Sequence, residues 1–235
     1  MDDQLTIKSG IKETIPTVSG YLGIGIAFGI VAHSAGINTL LIFLMSAITY
    51  AGSAQFVIVG MLASKSPMLS IIFSAFLVNS RMILMSMTVA PYLKKNSMLK
   101  NILVGTLLTD ESFALSMNKL NYTDHKLNFE WVNTTNVVSY LTWIVASVIG
   151  GLVGSLIPDP YKFGLDFAIL AMFIGLLYMQ IAADRTIDRR LQLLVIGFTF
   201  IAMYVGLIFI PSNLVVVIVT ILGCGFGVLM QHVFF

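Results

Sequence analysis

The sequence has few charged residues. Lys, Arg, Asp and Glu make up 10% of the 235 residues, whereas hydrophobic residues make up 57%. Soluble domains carry roughly 25% charged residues, because a surface that faces water needs them. Long apolar stretches recur at roughly the 20 residues that a helix needs to cross a bilayer core. The composition therefore excludes a soluble globular protein and predicts an all-α integral membrane protein whose solvent is the lipid bilayer.

Other absences exclude particular chemistries. Cys224 is the only cysteine, so an internal disulfide is excluded. A Gly-rich loop of the type that binds ATP phosphates is absent, so active transport would have to draw on an ion gradient or another subunit. The three histidines show no metal-binding spacing, and the net charge of +2 gives no sign of nucleic acid binding. We therefore predict no cofactor, no metal and no enzymatic activity.

The apolar stretches predict a single polytopic domain over residues 1–235 with eight membrane segments. These are residues 15–36, 39–63, 68–93, 102–117, 137–157, 164–183, 191–211 and 213–233. With a cytoplasmic N-terminus, eight basic residues lie inside and four outside, as the positive-inside rule favours. The inside set is Lys8, Lys12, Lys65, Lys119, Lys126, Arg185, Arg189 and Arg190. Seven crossings with an external N-terminus give the same ratio if the short fourth segment only dips into the membrane. We prefer eight.

Three charged residues stand inside predicted membrane segments. Arg81 is near the middle of the third segment, and Asp110 and Glu111 are adjacent in the fourth. A charged residue at the centre of a membrane helix costs about 2.5 to 3.5 kcal/mol on insertion scales, so such residues normally face protein or water and have partners. We expect one acid to neutralise Arg81. On a continuous helix Glu111 has mainly apolar neighbours, which makes it a candidate to carry a proton.

Two further patterns predict a substrate site in the middle of the membrane. The second segment is interrupted at Thr49–Phe56, where small residues lead into Gln55, and broken helices near the bilayer centre are where transporters bind substrate. Tight helix packing explains Gly52 equally well. In the third segment Asn79 and Arg81 point about 200° apart on a regular helix, which predicts an irregular helix or a central position in the bundle. The substrate-binding candidates are Gly52, Ser53, Gln55, Asn79 and Arg81, and the ion-coupling candidates are Asp110 and Glu111. For Arg81 a purely structural ion pair is the alternative.

Three G-x-x-x-G pairs lie in the apolar segments. They are Gly25 with Gly29, Gly150 with Gly154, and Gly223 with Gly227. Glycines at this spacing let two membrane helices approach closely. We interpret them as helix contacts within the bundle, with a face for a second subunit as the alternative.

Several blocks together resemble a known family. They are Pro16 with the Gly-rich stretch 23–29, YAGSAQF at 50–56, VNSR at 78–81, LTDESFAL at 108–115, and LDFAILAMFIGLL at 165–177. In this order they resemble the AzlC-type large subunits of bacterial branched-chain amino acid exporters. The resemblance implies a multi-pass protein of the bacterial cytoplasmic membrane that exports branched-chain and related amino acids together with a small AzlD-type membrane subunit. Proton coupling, with Glu111 as the carrier, is our own expectation.

Two other classes of function, an intramembrane protease and a non-transporting scaffold, are alternatives to an amino acid carrier. An intramembrane protease lacks a histidine near the middle of any segment, and its two acids would have to lie on separate helices, whereas Asp110 and Glu111 are adjacent. A non-transporting scaffold has no reason to keep three ionisable groups inside the membrane. A carrier for another small amphipathic substrate fits the same residues.

Overall fold

The computed structural model describes residues 3–157, 187–210 and 212–234, together with isolated positions between 167 and 181. The regular elements of these ranges are helices. They are α1 (Ile7–Ser34), α2 (Thr39–Leu44), a π-helical turn (Met45–Thr49), α3 (Gly52–Ala63), α4 (Met68–Asn79), α5 (Arg81–Leu93), α6 (Met98–Leu107), α7 (Asp110–Leu120), α8 (Phe129–Gly154), α9 (Arg189–Phe209) and α10 (Ser212–Phe234). The chain divides into two compact units, Met1–Leu177 and Tyr178–Phe235. Of the segment predicted at 164–183, the structure describes only isolated positions, so this prediction lies largely outside the described residues.

Four stretches in the described ranges are long and apolar enough to cross a membrane. They are Ile7–Ser34, Met68–Leu93, Phe129–Gly154 and Arg189–Phe209. Shorter apolar helices stand beside them, and those on either side of residues 50–51 and 108–109 are too short to cross alone at 1.5 Å per residue. The prediction of an all-α membrane protein with broken helices is confirmed, and the number and direction of its crossings stay predictions.

Glycines bring α1 and α8 into backbone contact in the first unit. A Cβ added at Gly29 would collide with the carbonyl oxygen of Ser147, and one added at Gly150 would collide with that of Ile26. At Gly25 an added Cβ would lie 2.7 Å from the Cβ of Ala146. These contacts confirm that the first two G-x-x-x-G pairs pack helices within the bundle. Close packing of this kind replaces the hydrophobic driving force that is missing between helices in lipid.

The second membrane segment is broken where the sequence predicts. The π-helical turn ends at Thr49, Tyr50 has a left-handed backbone with φ 36°, and Ala51 leads into α3. A left-handed conformation is unfavourable for a residue with a bulky side chain, and π-helical turns are frequent at functional sites. The chain therefore maintains a strained break at this point.

The third segment is irregular at Ser80, which separates α4 from α5. This agrees with the irregular helix expected from the spacing of Asn79 and Arg81. The alternative, a central position in the bundle, is not confirmed: the described part of the chain buries only 11% of the most apolar stretch of Met68–Leu93.

The fourth segment is not the continuous helix predicted at 102–117. It is broken at Leu108–Thr109, where α6 ends and α7 begins. Thr109 caps α7 by accepting a hydrogen bond from the Ser112 backbone, while the Ser112 hydroxyl accepts one from the Thr109 backbone. Such a cap favours a new helix start over continuation, and Asp110 and Glu111 in its first turn complement the helix dipole. Thr106, four residues before Asp110, lies on α6 and donates to the Ile102 carbonyl, so the two residues do not share a helix face.

In the second unit, α9 and α10 pack against each other. Phe198 and Phe226 stack with centroids 4.2 Å apart, and a Cβ at Gly223 would lie 3.0 Å from the Thr199 hydroxyl oxygen. The third G-x-x-x-G pair therefore also serves packing between neighbouring helices.

Candidate functional site

A small cavity in the first unit lies where helices are broken. It is lined by residues from α1, from the 50–53 break, from α5, from the start of α7 and from α8: Tyr21, Tyr50, Ala51, Gly52, Ser53, Met82, Thr109, Asp110, Glu111 and Trp143. The space that a water centre can occupy is about 20 Å³, close to the minimum that holds one water. The cavity thus brings two helix starts and two acids into one confined space.

Arg81 forms an ion pair at the edge of this site. Its Nη2 lies 2.7 Å from Asp110 Oδ2 and also donates to the Ser53 hydroxyl at 2.7 Å. The first residues of α5 and α7 and the first turn of α3 are thereby tied together. The expectation that one acid neutralises Arg81 is confirmed, and that acid is Asp110.

Glu111 has a different partner. The Tyr21 hydroxyl donates to Glu111 Oε2 at 2.7 Å and lies 2.9 Å from Thr109 Oγ1. Tyr21 itself is buried on α1, with its ring 5.3 Å from that of Trp143. Glu111 therefore lines the cavity beside two hydroxyl groups. The apolar surroundings that a continuous helix would have given it are not present.

Tyr50 places another hydroxyl at the cavity. Its side chain is 8% exposed, and its ring packs edge-on against Tyr140 at 4.8 Å. Among the described residues its hydroxyl has no hydrogen-bond partner. A buried hydroxyl without a hydrogen bond costs free energy, so this group is available to an acceptor that enters the cavity.

Gln55 lies behind the cavity wall and does not line it. Its amide oxygen accepts from Trp143 Nε1 at 2.9 Å, and its amide nitrogen donates to the Ser46 hydroxyl at 3.2 Å. Ser147 continues this chain with a hydrogen bond of 2.7 Å to Ser46. The network fixes Trp143 and the π-helical turn against α8, so Gln55 shapes the site through other residues.

The structure therefore brings some predicted site residues together and leaves others outside. Gly52, Ser53, Asp110 and Glu111 line the cavity, and Arg81 reaches it through Ser53 and Asp110. Asn79, like Gln55, does not line it; the Asn79 amide oxygen is buried without a partner among the described residues. In the described part of the chain no three His, Cys, Asp or Glu residues cluster in a way that would hold a metal.

The comparison with known families decides the classification. The family model described as AzlC protein matches residues 16–157, which include the cavity and all three breaks. The chain belongs to the AzlC family. No solved structure matches it significantly.

Relatives of this AzlC-family chain are named as transport or membrane proteins. It is 29% identical over 177 residues to the branched-chain amino acid transport protein AzlC of Bacillus subtilis, covering 74% of this chain and 67% of the relative. It is 29% identical over 176 residues to the inner membrane protein YgaZ of Escherichia coli, covering 73% and 72%. It is 30% identical over 178 residues to an uncharacterised membrane protein of Helicobacter pylori, covering 74% and 75%. These matches support a membrane transport role.

Sequence reasoning missed several residues of the AzlC-family site. Trp143 was given no role, yet it is 2% exposed and donates a hydrogen bond to Gln55. Tyr50 and Thr109 lie inside the diagnostic blocks but were given no role. Tyr21 precedes Gly25 by four residues, which puts it on the α1 face that packs into the bundle. That spacing was an available signal.

Lys119 also differs from expectation. It was assigned to an inside loop, but it is fully buried at the end of α7 and pairs with Glu13 Oε1 at 2.8 Å. The helix begins at Asp110 because of its cap, and this later start carries the helix past the predicted end at 117. Lys119 is therefore not a solvated loop residue, and the side of the membrane on which it lies stays a prediction.

Proposed function

We propose that the protein exports branched-chain and related hydrophobic amino acids across the bacterial cytoplasmic membrane. It would act as the large subunit of a two-component, proton-coupled secondary carrier, with residues 1–235 as one transport domain. The observation that carries this proposal is the cavity at the meeting point of broken helices, where an Arg81–Asp110 pair stands beside a second acid, Glu111. The choice of branched-chain substrates rests on the name of the Bacillus subtilis relative.

The cavity complements each part of a zwitterionic amino acid. Glu111 and the acceptor oxygens near Thr109 suit an ammonium group. The start of α3 at Gly52 and Ser53 offers backbone N–H groups and the positive end of a helix dipole to a carboxylate. Met82 and the ring of Trp143 provide apolar surface for the side chain, and the flexible methionine adapts to different branched shapes.

The described conformation is too tight for this substrate. A cavity with room for about one water does not admit an amino acid, so the walls must separate before binding. The breaks at 50–51, 80 and 108–109 are the points where short helices move as units, as in alternating-access carriers with discontinuous helices. In the proposed cycle this conformation would be the one in which the site is closed.

Glu111 is the proposed proton carrier. Arg81 neutralises Asp110, whereas Glu111 forms no ion pair with a described residue and is stabilised there by the Tyr21 hydrogen bond and the α7 helix start. A proton bound on Glu111 in one state and released in the other couples export to the proton gradient. No ATP is needed for this cycle.

The small AzlD-type partner is proposed from the family resemblance. Cells that lack such a subunit and express this chain alone should stay sensitive to toxic leucine analogues, whereas co-expression should confer resistance. Resistance given by this chain alone would show that it exports without a partner.

The central test measures leucine flux in proteoliposomes that contain the chain with its small subunit. We expect an imposed pH gradient to drive leucine accumulation in wild type. Glu111→Gln should abolish the gradient-driven part, and downhill exchange should persist only at a higher leucine concentration, because the ammonium group loses its charged partner. Glu130→Gln is the matched control, because Glu130 is an exposed carboxylate in the first turn of α8. Flux that ignores the gradient, or a Glu111→Gln variant that still concentrates leucine, would contradict proton coupling through this residue.

A further inference from the structure

We propose that the substrate carboxylate is held by the Tyr50 hydroxyl together with the backbone N–H groups at the start of α3, and not by Arg81. This rests on the proposed function, since it assigns the carboxylate subsite of the same cavity. It gives a role to Tyr50, which the sequence did not single out, and it removes Arg81 from direct substrate contact.

The start of α3 is an open set of hydrogen-bond donors. Ala51 precedes it with φ −143° and ψ 84° and provides no side-chain cap, and the first bond into the helix runs from the Gln55 N–H to the Ala51 carbonyl at 2.8 Å. The N–H groups of Gly52, Ser53 and Ala54 therefore have no acceptor within the helix. Ala51, Gly52 and Ser53 line the cavity, so this end of the 12-residue helix faces it.

The start of α7 at the same cavity is different. Thr109 and Ser112 cap it reciprocally, and two carboxylates occupy its first turn. An anion gains little there, because the donors are engaged and like charges stand nearby. The contrast between a capped, acidic helix start and an uncapped, neutral one gives the cavity a polarity that matches a zwitterion.

Tyr50 supplies the second, independent observation. The left-handed backbone at φ 36° holds this residue at the break, directly before the start of α3. Tyr50 lines the cavity, and its buried hydroxyl forms no hydrogen bond of standard geometry with a described residue, although the Tyr21 and Thr109 hydroxyls and the Glu111 carboxylate are its polar neighbours. A strained backbone and a buried donor without a hydrogen bond are both unfavourable, and a carboxylate oxygen of the substrate would compensate for the second.

Arg81 is already engaged by the protein. Its guanidinium binds Asp110 and Ser53 at 2.7 Å each, and it does not line the cavity. Taking the substrate carboxylate onto Arg81 would break a charge-assisted pair and leave Asp110 buried with less compensation. Its role is to position Ser53 and Asp110 on the two helix starts.

The test compares three ligands that differ by one group. They are leucine, 4-methylpentanoate, which lacks the ammonium group, and 3-methylbutylamine, which lacks the carboxylate. Binding is measured by calorimetry on the detergent-solubilised complex, and thermal unfolding of the empty complex is recorded in parallel. Tyr50→Phe should weaken leucine and 4-methylpentanoate about tenfold, as expected for a lost hydrogen bond to a charged group. It should leave the amine unchanged and should not lower the unfolding temperature, since the hydroxyl has no partner to lose.

Tyr140→Phe is the matched control. It removes the hydroxyl from the ring that packs on Tyr50, but that hydroxyl donates to the Ala47 carbonyl at 2.9 Å, away from the cavity lining. It should lower thermal stability and leave the ratio of leucine to amine affinity unchanged. A second variant, Ala51→Ser, adds a cap that competes for the α3 donors and should weaken both carboxylate ligands while preserving the fold.

The outcomes separate this proposal from the proposed function. Equal affinity losses for all three ligands, a lowered unfolding temperature in Tyr50→Phe, or wild type that binds neither carboxylate ligand would overturn the carboxylate subsite. Wild type that binds 4-methylpentanoate in a Tyr50-dependent way but ignores leucine would keep the subsite and reject the amino acid substrate.

Discussion

Helix α7 carries an ion pair at each end, and the two pairs have opposite surroundings. At its first residue, Asp110 binds Arg81 at 2.7 Å; one residue before its end, Lys119 binds Glu13 at 2.8 Å. The distances are nearly equal. The difference lies in burial, in the helices that supply the partners, and in what else each charge contacts.

The Lys119 end is closed and fully bonded. The Lys119 side chain is 0% exposed and that of Glu13 8%. Lys119 also donates to the Ser9 hydroxyl, its ammonium lies 5.4 Å from the centre of the Trp131 ring, and Trp131 Nε1 donates to the second Glu13 oxygen. Glu13, Ser9 and Trp131 come from the continuous helices α1 and α8, so the whole cluster is held by unbroken backbone.

The Arg81 end of α7 is partly exposed, and its residues lie on helices that follow breaks in the chain. The Arg81 side chain is 33% exposed, and Arg81, Asp110 and Ser53 each lie in the first turn of a helix that follows a break. The cavity stands beside them with an unsatisfied Tyr50 hydroxyl. A completed polar cluster indicates structure, whereas an incomplete one at a cavity indicates ligand binding.

The same two helices connect these ends. Glu13 and Tyr21 are eight residues apart on α1, and Glu111 and Lys119 are eight apart on α7. Eight residues of helix span about 12 Å, so antiparallel α1 and α7 match at both levels. We infer that the Lys119 end anchors α7 while the Glu111 end changes its contacts during transport. The experiments below test this difference in order of decreasing effect on stability.

Lys119→Met should cause the largest loss of stability. It removes one member of a buried pair and leaves Glu13 without its charge partner, a change that costs about 3–5 kcal/mol in comparable cases. We expect a strong loss of folded protein in detergent, measured by size-exclusion chromatography and thermal unfolding. The double variant Glu13→Gln with Lys119→Met should recover much of it, because no uncompensated charge remains.

Lys126→Met is the control for that experiment, since Lys126 is an exposed lysine in the loop after α7. It should leave yield and unfolding temperature unchanged. A Lys119→Met protein that is as stable as Lys126→Met would show that the Glu13 end does not anchor α7.

Gly150→Ala should have the next largest effect. The added methyl group collides with the Ile26 carbonyl, which is backbone and has no rotamer to change, so α1 and α8 must separate. Overpacking typically costs about 1–3 kcal/mol. Gly105→Ala is the matched control, because nothing lies within 4 Å of its added Cβ, and alanine there should be neutral or stabilising. Equal unfolding temperatures for the two variants would contradict the backbone contact.

The sequence predicted the parts of the fold that depend on composition and local pattern. Apolar stretches identified the membrane helices, and the small residues before Gln55 identified the break at 50–51. The break at 108–109 was missed because the apolar residues before it and after Ser112 were taken as one membrane segment. The sequence signal for this break was Thr109 followed by Asp, Glu and Ser, which is typical of a helix N-terminus. Whether the chain starts a new helix there or continues the preceding one depends on the relative stability of the two, which the sequence pattern does not give.

The site was predictable where charges made it conspicuous. Arg81 with an acid from the next segment followed from the cost of charge in lipid, and the structure gives Asp110. Tyr21, Tyr50 and Trp143 were not recognised as site residues. An aromatic residue in an apolar segment is equally consistent with the core of the helix bundle and with the membrane interface. Lys119 was misplaced for the related reason that a lysine near a segment end is normally solvated. Only tertiary packing against Glu13 and Trp131 distinguishes it.

Arg81→Met should affect stability least and transport most. The Arg81 side chain is 33% exposed but that of Asp110 only 10%, so the pair lies between an exposed and a buried one and its loss should cost less than that of the Lys119 pair. Transport should nevertheless be lost, because Ser53 and Asp110 are no longer held at the starts of α3 and α7. The double variant Arg81→Met with Asp110→Asn should regain wild-type stability, since it leaves no unpaired charge, and should still fail to transport leucine. Thermal unfolding and proteoliposome flux on the same preparations separate the two effects. Full export by Arg81→Met, or a stability loss as large as that of Lys119→Met, would contradict the view that the Lys119 end of α7 anchors the helix and the Asp110 end acts in transport.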